Sequence, residues 1–301
     1  MKKLLLSITA VIITVAALGT STFAWFTLSN RAEIGQFNAE VTAGEGIEVS
    51  LDQTNWYSTL PSSVINAFLE SQNGGETPVL SDVTTTDAIN FTKISVSDVT
   101  DNPVGTLVSN TAPAGSYISF TLYFRSQNAT KLYWQNATIG SDVKSWTPDT
   151  TFLMADGSQA TPAAPVDVRA ANAVRVAVVG TVTKAFQLAD GVIEGVENSG
   201  SQIIITDGAI AYHNAKNPDN QFPALSGQTM LATETSFPAG TTGTPNGFDV
   251  LNLAGAATEN GITYNTGNLD VKVWIEGWDA DTFNAILKEA IAITLSFEGK
   301  E

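Results

Sequence analysis

The chain has 301 residues, of which 43% are hydrophobic and 9% aromatic, a composition typical of a folded protein. It carries 14 Lys and Arg against 30 Asp and Glu, for a formal net charge of −16. Such a surface repels phosphate backbones, so nucleic acid is not expected as a partner. Because cysteine is absent, disulfides, thiolate metal sites and a cysteine nucleophile are excluded.

The first residues have the pattern of a secretory signal peptide. Met1-Lys2-Lys3 is a short basic region, the run from Leu4 to Gly19 is apolar apart from three hydroxyl residues, and Thr22-Phe23-Ala24 offers small residues at the −3 and −1 positions of a signal peptidase site. We predict a signal peptide over residues 1–24, cleavage after Ala24, and a secreted, extracellular product that meets the membrane only before cleavage. An uncleaved anchor is the alternative, because the apolar segment is long enough to cross a bilayer.

Alternation of apolar and polar residues dominates the rest of the chain and is typical of half-buried strands. The segments with this pattern are Phe37–Val41, Ile47–Leu51, Ile118–Phe124, Val174–Val178, Leu269–Ile275 and Ile291–Phe297. Leu132 and Trp134 are predicted to form the hairpin partner of Ile118–Phe124, across a turn at Gln127-Asn128-Ala129.

Helical spacing is confined to two short stretches. One is Val64–Leu69, and the other covers residues 283–290, where Asp279 or Asp281 is in position to cap the first turn. The stretch 190–268 is rich in Gly, Thr, Ala and Asn and indicates long loops and small hairpins inserted between core strands.

These elements predict an all-β protein, namely an antiparallel jelly-roll-like β-sandwich with a few short connecting helices and long loop insertions. We expect residues 37–301 to form a single domain with a loop-rich insertion at about 190–268. Residues 25–36 would then form an extension between the signal peptide and this domain.

Catalytic and cofactor motifs are not found in the sequence. His213 is the only histidine, and no nucleophile-elbow pattern accompanies it, so a histidine on the surface or in a loop is expected. No phosphate-binding glycine loop follows a predicted strand. We therefore predict a protein that is not an enzyme, with no catalytic residues and no cofactor.

Two groups of residues are compatible with a binding site, but neither matches a known binding motif. Asp82, Asp87, Asp98 and Asp101 lie in a region rich in Ser and Thr, but none follows the spacing of a calcium-binding loop, so no metal site is assigned. A second group, made of Trp274, Glu276 and Trp278, is compatible with a sugar-binding patch, although aromatic packing beside a strand end is the preferred interpretation.

The N-terminal segment Thr22–Asn30 resembles that of exported proteins processed by the SipW-type signal peptidase, in which an aromatic and alanine cluster lies at the cleavage junction. Further segments that fit the pattern are Phe37–Ser50, Tyr117–Ser126, Ala173–Val176 and Val273–Asp279. The chain thus resembles the TasA and camelysin family of biofilm-matrix proteins. The resemblance implies a jelly-roll domain and assembly into extracellular fibres, in which the N-terminal segment of one subunit completes the sheet of the next.

After cleavage, Trp25, Phe26 and Leu28 would lie at a free N-terminus, where large apolar groups need a place to pack. Together with Ile34 they form a candidate donor strand for another copy of the chain. We predict a structural subunit of an extracellular matrix fibre or pilus-like filament, with itself, signal peptidase and other matrix components as partners. One alternative is that the strand folds back on its own domain. Two other functions remain open: a monomeric secreted module that binds carbohydrate or a cell surface, and a hydrolase that uses carboxylates which the sequence does not single out.

Overall fold

The structure is a computed structural model, and it describes residues 32–33, 37–44, 46–99, 102–189, 205–225, 228–282, 284–286 and 289–301. The predicted signal peptide, its cleavage site at Ala24 and the donor-strand residues Trp25, Phe26, Leu28 and Ile34 lie outside the described residues.

The described residues are mostly β-strand, with three short helices. The strands in chain order are β1 (Ala32–Glu33), β2 (Phe37–Ala43), β3 (Ile47–Ser50), β4 (Thr59–Leu60), β5 (Val79–Leu80), β6 (Asp82–Thr85), β7 (Phe91–Val99), β8 (Asn102–Thr111), β9 (Ile118–Ser126), β10 (Lys131–Gly140), β11 (Lys144–Trp146), β12 (Phe152–Leu153), β13 (Gln159–Ala160), β14 (Val166–Val168), β15 (Val174–Val179), β16 (Thr183–Phe186), β17 (Phe248–Asn252), β18 (Gly255–Glu259), β19 (Ile262–Glu276) and β20 (Ile291–Lys300). The helices are α1 (Ser62–Gln72), α2 (Ala170–Ala173) and α3 (Ala209–Lys216), and a 3₁₀ turn covers Asn284–Ile286.

Two sheets form the body of the protein. The five-stranded sheet has the order β17-β10-β20-β2-β4. In the nine-stranded sheet, β16, β15, β19, β6, β7 and β8 follow one another, β9 and β18 also pair with β19, and β3 pairs with β9. Three further sheets have only two strands each. The all-β prediction is therefore confirmed.

The predicted antiparallel arrangement is only partly correct. Most strand pairs are antiparallel, but β2 runs parallel to β20 and β6 runs parallel to β19. A parallel pair requires a long connection between its strands, and nearly the whole chain lies between β2 and β20.

The core lies between the two sheets. On β9 the residues Ile118, Phe120, Leu122 and Phe124 are buried, and on β20 the buried residues are Ile291, Ile293, Leu295 and Phe297. The rings of Phe124 and Phe297 lie 5.1 Å apart and join the two faces. Alternation therefore placed one face of each strand in a shared, sandwich-like core, as period-two patterning requires.

The predicted hairpin between β9 and β10 is wrong. β9 pairs with β19 and β3, whereas β10 pairs with β17 and β20 in the other sheet. Between them, the Ser126 hydroxyl accepts hydrogen bonds from the backbone of Asn128 and Ala129. This turn carries the chain from one sheet to the other.

The helix predicted at Val64–Leu69 is confirmed as α1, which buries Ile65 and Leu69, four residues apart on one face. At the second predicted site, 283–290, the described residues show only the 3₁₀ turn Asn284–Ile286. Within the described part of 190–268 lie α3, β17, β18 and the start of β19. Because β17 pairs with β10, this stretch contributes directly to the five-stranded sheet.

Candidate functional site

Part of the predicted N-terminal extension pairs with its own chain. Ala32 and Glu33 form a short antiparallel ladder with Leu80 and Val79. Residues 32–33 are thus held within the subunit, and the chain enters the five-stranded sheet soon afterwards as β2.

The nine-stranded sheet ends at β8, which pairs with β7 and is ten residues long, longer than any other strand that ends a sheet in the described chain. Its first residues are covered on the outer side, since the Gly105 N–H donates to the Gln221 carbonyl at 2.8 Å and the Gln221 N–H donates to the Pro103 carbonyl at 2.7 Å. Beyond Gly105, the described residues place no strand beside β8.

Backbone groups of β8 point alternately towards β7 and away from it. Gly105 faces outwards, and the Ala112 N–H donates inwards to Phe91, so the intervening odd-numbered residues direct their N–H and C=O groups outwards. Leu107, Ser109 and Thr111 therefore form a row of outward donors and acceptors. A strand of this kind is a template for the addition of another strand.

The sequence of β8, NPVGTLVSNT, contains no charged residue, and its one proline lies at the covered end. Charges and prolines are the usual protection of an edge strand against pairing with another chain. The open half of β8 has neither.

Two other sheet ends are covered. Beside β16, the Glu234 N–H donates to the Ala185 carbonyl and the Gln187 N–H donates to the Glu234 carbonyl. Beside β17, the Val250 carbonyl accepts from the N–H groups of Thr181 and Val182. Among the described residues, β8 beyond Gly105 is thus open, whereas these two edges are closed by loops of the same chain.

The aromatic group at the end of β19 does not form a surface patch. Trp274, Glu276 and Trp278 are all buried, with exposed fractions of 0%, 1% and 2%. The Trp274 indole N–H donates to Glu276 Oε2 at 3.0 Å, and the Trp278 backbone N–H donates to Glu276 Oε1 at 3.2 Å. Packing beside the strand end is therefore the correct interpretation of this group.

A buried ion pair lies beside this group. Arg175 of β15 pairs with Asp279, and its Nη1 donates to the Asn172 carbonyl of α2 at 2.8 Å. Burial raises the pKa of the Glu276 carboxyl to about 7. The contacts of Arg175 with Asp279 and with Asn172 hold α2 against the turn after β19, which is a structural role.

His213 is not a surface or loop residue, contrary to expectation. It lies on α3, is buried against Phe222 with ring centres 4.9 Å apart, and its Nε2 hydrogen-bonds the Asn220 carbonyl at 2.8 Å. Burial lowers the pKa of His213, which favours the neutral imidazole. The helix was missed because its eight residues have only weak apolar periodicity.

Two of the four acidic residues considered for calcium, Asp82 and Asp87, are engaged within the protein. Asp82 pairs with Lys93 at 3.2 Å, and Asp87 accepts hydrogen bonds from Ile89 and Asn90. Asp101 is outside the described residues. In the described part of the chain, no three His, Asp or Glu side chains are grouped as metal ligands.

An open cleft of about 560 Å³ lies at one end of the nine-stranded sheet, and sequence analysis did not find it. In its wall, the Arg125 guanidinium lies 4.4 Å from the ring centre of Trp56 and 4.5 Å from that of Tyr264. Arg125 also pairs with Glu48 at 2.6 Å and with Glu259. These residues come from distant parts of the chain, so no local motif marks them.

No helix among the described residues has the length and apolar character needed to span a membrane. No family model, no curated protein and no solved structure matches this chain.

Proposed function

We propose that the protein is a secreted structural subunit of an extracellular fibre, without catalytic activity, that assembles by donating its N-terminal strand to the β8 edge of the next copy. The observation that carries this proposal is the combination of an open, uncharged β8 edge with a separate apolar segment, Trp25–Leu28, near the predicted cleavage site. A head-to-tail contact of this kind does not close on itself and so propagates into a filament.

The lengths of the two elements are compatible. The segment from Trp25 to Arg31 spans about 20 Å when extended, and the open half of β8 from Thr106 to Thr111 has about the same length. The outward groups of Leu107, Ser109 and Thr111 would supply the main-chain hydrogen bonds. Phe26 and Leu28 lie two residues apart and so share one face of an extended strand, where burial stabilises each by about 1.5–3 kcal/mol.

The pairing of Ala32 and Glu33 with β5 limits which residues are donated. Since residues 32–33 are held within their own subunit, we place the donated strand before them, at Trp25, Phe26 and Leu28. Ile34 lies between two segments that pair within the same chain, β1 and β2, and is a weaker candidate.

The resemblance to the TasA and camelysin family and the jelly-roll topology are part of the same proposal. The passages from β2 to β3 and from β9 to β10 both cross from one sheet to the other, which supports a jelly-roll-like path. Secretion and cleavage after Ala24 are tested by N-terminal sequencing of the exported protein, which should begin at Trp25.

The test of assembly uses one variant of each partner surface. Deletion of residues 25–31 removes the donor and leaves β1 in place. Ser109→Pro removes one outward N–H of β8 without touching the ladder to β7, because proline is tolerated on an edge strand where its nitrogen faces away from the partner. Ser109→Ala, which keeps the N–H, is the matched control. Circular dichroism checks that all variants are folded.

Negative-stain microscopy should show filaments for the mature chain and for Ser109→Ala, but not for the deletion or for Ser109→Pro. Mixing the two defective variants should give a one-to-one dimer by light scattering, because the intact donor of one fits the intact edge of the other. Filaments formed by the deletion variant would refute strand donation. Filaments formed by Ser109→Pro would refute β8 as the acceptor.

A carbohydrate-binding module based on Trp274 or Trp278 is not proposed, because both indoles are buried.

A further inference from the structure

The cleft at the end of the nine-stranded sheet lies on the outer face of that sheet. Directly opposed residues form a row across four strands, running from Glu48 through Arg125 and Thr266 to Gly255. Arg125 alternates with the buried Phe124, so this row faces away from the core. The part of the cleft lined by Arg125, Thr266 and Gly255 is therefore a sheet surface.

The cation in the cleft wall, Arg125, is already paired within the protein. The Arg125 guanidinium is held between two aromatic rings and is paired with the carboxylates of Glu48 and Glu259. One cation and two carboxylates give this group a net charge of about −1 at neutral pH. The described lining of the cleft contains no other cation that could bind an anionic ligand, and the chain as a whole carries a net charge of −16.

Most of the remaining lining is aromatic, small or amide-bearing. Trp56, Tyr123 and Tyr264 supply ring surfaces, and small residues at 254–257 leave room above the floor. The exposed amides of Gln53, Asn252 and Asn268 also line the cleft. A primary amide presents a donor and an acceptor in one plane, which matches neighbouring hydroxyl groups of a sugar, whereas aromatic rings match the apolar face of a pyranose.

The loop that carries Trp56 is held in a fixed shape before any ligand arrives. The Ser50 hydroxyl accepts from the backbone N–H of Asp52 and of Gln53. The Asp52 carboxylate accepts from the backbone of Asn55 and of Thr54, both at 2.8 Å, and these bonds lower the pKa of Asp52. A preformed wall reduces the ordering cost of binding.

We propose that this cleft binds a neutral oligosaccharide segment, such as a stretch of an uncharged polysaccharide chain. Its volume of about 560 Å³ is within the range of small-ligand sites. This binding is independent of filament assembly, and it would attach the protein to a surrounding polysaccharide.

The test is calorimetric titration of the mature protein with soluble hexasaccharides: cellohexaose, maltohexaose and mannohexaose as neutral probes, a hyaluronan fragment as the acidic probe and a chitosan fragment as the cationic probe. At least one neutral hexasaccharide should bind. Trp56→Ala and Tyr264→Ala should each weaken that binding by about tenfold, the equivalent of one stacked ring.

Two further variants separate ligand contact from damage to the fold. Gln53→Ala leaves the Arg125 contacts untouched and should still weaken binding. Ile262→Ala is the matched control, since this side chain is exposed on the same hairpin as Tyr264 but does not line the cleft, and it should bind normally.

The proposal is overturned if no neutral hexasaccharide binds at millimolar concentration, or if only the acidic or cationic fragment binds. Unchanged binding by the folded Trp56→Ala and Tyr264→Ala variants would also overturn it. If these variants lose filaments while none of the probes binds, the cleft is an assembly contact instead. Loss of filaments in the β8 and N-terminal variants leaves the glycan result unaffected, so the two proposals fail separately.

Discussion

Glu276 is a carboxyl group buried under the sheet, where both of its oxygens accept hydrogen bonds from tryptophan N–H groups. The cost of burying charge raises its pKa from 4.5 to about 7. Between these two values the folded protein retains a proton that the unfolded chain has lost. Stability contributed by this residue therefore falls as the pH rises through that interval, and levels off above the folded pKa.

Replacement of Glu276 by Gln removes this titration. Between pH 4.5 and 7 the free energy of unfolding of the wild type should fall by about 3 kcal/mol relative to that of the variant. Urea unfolding of both proteins across this interval measures the difference, and Glu70→Gln on the exposed side of α1 is the control for loss of one carboxylate. A difference that stays constant with pH would show that Glu276 does not titrate as described.

Strand faces were predictable from the sequence because burial of one face imposes a period of two, as on β9, β19 and β20. The pairing partners of the strands were not predictable. The alternation at Leu132 and Trp134 is compatible both with a hairpin to β9 and with the observed position of β10 in the other sheet. The packing expected for Trp274 is confirmed, but the local pattern did not show what covers its face of β19, which is opposite to the face of Val273 and Ile275. The face of Trp274 packs under a second, smaller core formed with Val83, Phe91 and Ala185.

The candidate sites also depend on which strands lie side by side, which local sequence does not show. The apolar segment at Trp25–Leu28 is visible as a run of residues, but an open edge such as β8 is a property of what lies beside a strand. The cleft around Arg125 is formed by β3, β9, the loop that carries Trp56 and the β18–β19 hairpin. These elements are distant in sequence, and the register of four strands brings them together.

The pairing of β17 with β10 depends on close approach at Gly247. This residue has φ +94, and a Cβ added there would overlap the carbonyl oxygen of Trp134, a fully buried core residue. Gly243 has a similar φ of +84, but a Cβ there meets nothing. The two positions therefore separate backbone strain from steric overlap.

Gly243→Ala should destabilise the protein by about 1–3 kcal/mol through backbone strain alone. Gly247→Ala should cost about 1–3 kcal/mol more, because β17 must move away from β10. Chemical denaturation of the two variants measures both values. Equal destabilisation would contradict the close contact at Trp134.

At the scale of the whole molecule, β20 is the centre of the five-stranded sheet, between β10 and β2. It buries Ile291, Ile293, Leu295 and Phe297, each at most 2% exposed. Their burial contributes about 6–12 kcal/mol, which is comparable to the total stability of a typical domain.

Deletion of residues 291–301 should therefore abolish cooperative unfolding, whereas removal of the exposed Glu301 alone should not. Thermal melting monitored by near-ultraviolet circular dichroism distinguishes these outcomes. A truncated chain that still melts cooperatively would mean that β10 and β2 can form a stable sheet without β20.

The parallel pairing of β2 with β20 also has a consequence for biosynthesis. A strand that begins at residue 37 must wait for one that begins at residue 291, so this sheet cannot close until residues 291–300 have been synthesised. Until then β2 has only the two-residue strand β4 beside it, so its other edge stays unpaired.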